Sequence, residues 1–182
     1  MFTIQTWVSD QWHSDPVPIG EIDQHYCLFD DLKNYDFIWD ILVERQAILF
    51  GFVQINYNGQ ELIGQEMFSQ ILITWHYYEE ILKQMYKQNF ASATQPEGGD
   101  EPVITVCPHN TDSNQIILEV FPERGISHKD YKIFILPRKE FLKALYDALI
   151  TYHQTDLQFY VVDEHKQAAK RHIHSLLNQP LY

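Results

Sequence analysis

The chain has 182 residues, 45% hydrophobic and 14% aromatic, which sets it apart from disordered chains and allows one buried core or two small lobes. Its formal net charge is −12 and unevenly placed: residues 1–102 hold 4 Lys or Arg against 16 Asp or Glu, whereas residues 103–182 hold 9 of each. Such a surface repels phosphate backbones and anionic membranes, so nucleic-acid and membrane-surface binding are disfavoured.

Residues 2–8, FTIQTWV, alternate Phe2, Ile4 and Thr6 with Thr3, Gln5 and Trp7, the period of a half-buried strand. The SDQWHSDPVP stretch that follows reads as a loop and carries Trp12 and His13. In EIDQHYCLFDDL, residues 21–32, a short strand is expected around 25–29, closed by Asp30 and Asp31. Residues 35–44, YDFIWDILVE, fit a strand or a short helix equally well. AILFGFVQINY and QELI flank Asn58-Gly59, the dipeptide of a type I′ turn, and predict a hairpin over 47–63. Gly51, inside its first arm, marks a bulge or a close backbone approach.

Residues 65–90 form the longest uninterrupted periodic segment. Phe68, Ile71, Leu72, Trp75, Tyr78, Leu82, Met85 and Tyr86 share one stripe of a 3.6-residue helix, so a central core helix is predicted there. Its first half is apolar nearly all round, which suits burial on two sides or a second copy of the chain. Glu79 and Lys83 are spaced as an i,i+4 surface pair. Residues 91–102, ASATQPEGGDEP, read as a linker or a long surface loop, joining an acidic lobe at 1–90 to a neutral one at 103–182 if two lobes exist. VITVC, QIILEVF and YKIFIL then predict three strands in meander order. Pro137 opens a helix over 138–153, LQFYVV at 157–162 is expected as a further strand, and Asp163 is placed to cap a last helix with His165, Ala169, His172, Ile173 and Leu176 on its stripe. The fold class is therefore α+β: antiparallel meander sheets backed by about three helices, with a β-then-helix order in both halves.

The search for chemistry returns little. Cys27 and Cys107 are eighty residues apart and read as free thiols, not as a CxxC unit or a disulfide framework. Among nine histidines, His165 and His172 lie two helical turns apart, too far to share an ion without a third element between them. No GxSxG, SxxK, GxGxxG or HExxH motif occurs, which points away from an enzyme and from a bound cofactor. No apolar run approaches the roughly 18 residues of a membrane span, and the first residues lack a basic leader, so a cytoplasmic protein is expected.

Aromatic residues concentrate where the negative charge does, and rings within an acidic rim describe a surface for a basic protein partner. The expected function is therefore a non-enzymatic interaction protein, immunity- or inhibitor-like in physical profile, binding through Trp12, Asp15, Asp30, Asp31 and Asp36. The alternative is a small metal-dependent hydrolase or ligand-binding domain using Asp10, His13, Asp15 and Asp30 to hold a hard divalent ion. A third expectation is a homo-oligomer closed by the apolar half of the central helix.

Overall fold

The computed structural model describes residues 1–10, 17, 21–94, 102–121 and 131–178. The chain begins with β1 (Phe2–Ser9), α1 (Ile22–His25), the two-residue β2 (Cys27–Leu28) and α2 (Tyr35–Trp39). A π-helical turn, Asp40–Glu44, extends α2, so the ambiguous YDFIWDILVE stretch is helical, with Ile38 and Ile41 buried. β3 (Phe50–Tyr57) and β4 (Gln60–Ile63) form the predicted hairpin, with positive φ at Asn58 (51°) and Gly59 (82°).

β1 runs antiparallel to β3 from Phe2 opposite Tyr57 to Ser9 opposite Phe50, and the first sheet has the order β2-β1-β3-β4. Gly51 is the close approach its position suggested. A Cβ there would lie 1.9 Å from the Trp7 carbonyl oxygen, a backbone atom that cannot turn aside, so the strand crossing requires glycine.

The central helix starts later than its periodicity predicts. Gln65–Met67 make a 3₁₀ turn, and β5 (Ser69–Gln70) pairs with Gly51 and Phe50 on β3, so strand pairing claims these residues before α3 (Ile71–Gln88) begins. Asn89, at φ 60°, ends the helix with its N–H on the Met85 carbonyl. The buried face of α3 comprises Ile71, Thr74, Trp75, Tyr78, Glu79, Ile81, Leu82 and Met85. Leu72 and Tyr86, assigned to the core stripe by spacing, are 61% and 66% exposed. The true core stripe is rotated and takes in a carboxylate.

Residues 91–94, expected as part of a linker, form β6 (Ala91–Thr94) against β7 (Pro102–Pro108). β8 (Gln115–Val120) and β9 (Lys132–Pro137) complete a second antiparallel sheet in the meander order β6-β7-β8-β9. Ile116, Leu118 and Val120 of β8 face inward, as their alternation predicts. α4 (Arg138–Asp156) follows Pro137 directly. The expected strand at 157–162 is absent. Leu157–Phe159 instead form a 3₁₀ turn that continues α4 and buries Phe159, and α5 (Asp163–Asn178) follows with Asp163 in its first turn.

α3 and α4 pack on each other, α3 against β3 and β6, α4 against β1, β8 and β9, and α5 against α4. One apolar cluster runs from Val8 of the first sheet through Trp75 and Leu82 of α3 to Val120 of the second sheet and Leu145 of α4. The fold is α+β, with three long helices and two short ones among the described residues. Among the described residues no helix is long and apolar enough to cross a membrane.

Candidate functional site

Two regions concentrate polar chemistry. The first is the acidic segment at 21–45, which holds 7 Asp or Glu against Lys33 and Arg45. Asp31 caps the turn Leu32–Asn34 by accepting the Lys33 N–H at 3.0 Å, and α2 then directs its apolar and polar residues to opposite sides. Ile38 and Ile41 go into the core, Tyr35 stacks on Trp39 and Phe159, and Asp36, Asp40 and Glu44 face out. Arg45 answers two of the acids, Asp40 at 2.9 Å and Asp10 at 3.3 Å, while the Trp39 indole N–H donates to Glu44 at 3.1 Å. Leu32 and Phe37 are 78% and 40% exposed among these carboxylates.

Asp30 sits between this segment and a cleft of about 300 Å³ bounded by β1 and α4. Buried Phe29, Trp75 and Tyr152 line its floor, and the exposed carboxylates of Asp30 and Asp147 stand at its rim. The Trp75 indole is fixed by donating to the Thr6 hydroxyl at 3.2 Å, and its ring stacks on Tyr152. A second, more apolar cleft of about 320 Å³ lies nearby, bordered by Ile48, Leu72, Tyr152, Asp156 and Tyr160. Leu72 lines it. Burial pushes the Asp156 carboxyl up despite its hydrogen bond with Tyr160 and the charge of His153, and burial pushes Tyr160 up to about 12.

The second region is a single buried carboxylate. Glu79 of α3 meets Lys83 one turn on, with Nζ 2.9 Å from Oε1, so the pair that the sequence suggested for the surface is closed at its acidic end by the core. The other oxygen, Oε2, faces His172 Nε2 of α5 at 3.1 Å and His153 Nε2 of α4 at 3.5 Å. The two imidazoles lie edge to face, their centroids 4.9 Å apart. Burial alone would raise the Glu79 carboxyl, but its contacts with His153 and Lys83 and the charge of His172 outweigh that and hold it at about 2. The separations in sequence, 79, 153 and 172, leave no local motif to find. One signal was legible: position 79 lies four residues after Trp75 and three before Leu82, inside the apolar stripe, where an unpaired charge does not persist.

Among the residues singled out from sequence, Asp30 and Asp36 are exposed and Asp31 is half-buried as a cap. Trp12, His13 and Asp15 lie outside the described residues. The structure does not bring Asp10 and Asp30 together. The Phe29 N–H bonds the Thr6 carbonyl, so Asp30 and Asp10 lie about five positions apart along β1, roughly 16 Å. Asp10 is engaged by Arg45 instead. Cys27 and Cys107 are both free thiols, and burial together with Asp31 pushes Cys27 up to about 11.

No protein-family model, no curated protein and no solved structure matches the chain.

Proposed function

We propose that the protein is a binding module for a basic protein partner, which it engages through the acidic face at 30–44 and the cleft beside Asp30. The observation that carries this reading is the make-up of that cleft: two carboxylates at the rim and three aromatic rings at the floor, next to exposed Leu32 and Phe37. A lysine or arginine side chain fits such a site, since its stem lies against the half-buried Phe2 and Ile4 that also line it while its charge meets the carboxylates at the rim. Asp147 pairs there with Lys143 one turn before it, and an exposed pair of this kind yields readily to a competing cation. Leu32 and Phe37 provide the apolar area that anchors an interface, and the open carboxylates provide steering.

The test is capture from the source lysate at low salt with tagged wild-type protein and an Asp30→Lys, Asp36→Lys double variant, with circular dichroism to confirm that both are folded. A basic protein held by the wild type, released as salt rises and lost by the double variant supports the reading. Capture that is indifferent to salt and to the charge reversal, or capture of acidic proteins alone, overturns it.

A further inference from the structure

We infer that Glu79, His153 and His172 form a site for one divalent transition-metal ion, held between α3, α4 and α5. The ligand atoms, one from each residue, all lie within 4.8 Å of one another. Neighbouring ligands of a tetrahedral ion lie about 3.3 Å apart, a separation that Glu79 Oε2 already keeps from His172 Nε2 at 3.1 Å and from His153 Nε2 at 3.5 Å, so closure on one ion asks chiefly for a small turn of the imidazoles.

The division of labour at Glu79 favours an ion over a simple charge network. Lys83 already places its positive charge on Oε1, although it shares that charge with Glu80 at 2.7 Å. Both imidazoles nevertheless turn their Nε2 atoms to the other oxygen, and His153 Nε2 is buried there without a hydrogen-bond partner. Two nitrogens converging on one oxygen, one of them unsatisfied, are what a shared cation between them would satisfy. A set of two imidazoles and one carboxylate selects zinc, iron, manganese or cobalt, not calcium or magnesium, whose sites are built from oxygen. The His172 side chain is 42% exposed, so one side of the site faces solvent and water completes the coordination. Lys83 then becomes the outer partner of a ligating carboxylate, fixing its orientation from Oε1.

The experiment titrates full-length protein, stripped with a chelator and dialysed, with Zn²⁺ by calorimetry and with Co²⁺ by visible absorption. One ion per chain is expected, with the cobalt spectrum of mixed nitrogen and oxygen ligation. His172→Ala and Glu79→Gln are each expected to weaken binding at least tenfold. His174→Ala, which changes an exposed histidine two positions further along α5, leaves it unchanged. If Glu79→Gln fails to fold, the half-exposed His172→Ala carries the test. Absence of saturable binding in the wild type, or unaltered affinity in His172→Ala, overturns the inference. The proposed partner-binding face contributes no ligand to this site, so the two readings fail separately.

Discussion

The acidic face and the Glu79 cluster use the same functional group in opposite ways. Around α2, Asp30 and Asp36 point their carboxylates into water, and Arg45 pairs with Asp10 and Asp40. At Glu79 one carboxylate is taken out of water and surrounded by Lys83, His153 and His172. The first arrangement contributes a field that extends into solvent and fades with salt. The second contributes local cohesion among three helices that salt barely touches. Charge count alone would make the first region the important one for stability, and burial reverses that ranking.

Replacing Glu79 with Ala tests the contrast most strongly, because it takes the carboxylate away from the buried Nε2 of His153 and from His172 and leaves Lys83 with Glu80 alone. A loss of about 3–5 kcal/mol is expected in urea denaturation with chelator present, and 1 M salt does not restore it. Titration gives the next largest effect. The folded Glu79 carboxyl, at about 2, is depressed from its ordinary 4.5, so its stabilisation is fully present above pH 4.5 and lost as pH falls through 2. Roughly 3 kcal/mol should disappear across that window in the wild type and much less in Glu79→Gln, followed by denaturation in chelated buffer. Parallel pH profiles for the two proteins would break the comparison. The smallest effect belongs to the acidic face. Asp36→Lys should change stability by no more than about 0.5 kcal/mol, in the stabilising direction because it relieves self-repulsion, and the difference should vanish near 1 M salt, where the screening length is about 3 Å.

The parts of the fold fixed by short-range chemistry were legible in the sequence. The Asn58-Gly59 turn needs positive φ at both residues, the alternation in QIILEV needs one buried face, and Pro137 suits a helix start, and each is realised. The errors came from long-range pairing. Ser69 and Gln70 carry a helical pattern but are held by β3, LQFYVV has strand-forming residues but extends α4 as a turn, and Ala91–Thr94 looks like linker but pairs with β7. The candidate sites divide the same way. The charge and exposure of Asp30 and Asp36 could be read from local composition, whereas joining Glu79 to His153 and His172 requires the packing of three helices, which no spacing rule encodes.

Asp31 has a further chemical effect. It caps the turn before α2, and its charge adds to burial in holding the Cys27 thiol near 11. At neutral pH only about one molecule in ten thousand then carries a thiolate, the nucleophile that attacks peroxide and disulfides. Cys107 is shifted in the same direction by burial and by Glu119. One carboxylate beside each sulfur, Asp31 and Glu119, thus adds to burial in holding both thiols in the protonated form that oxidises slowly.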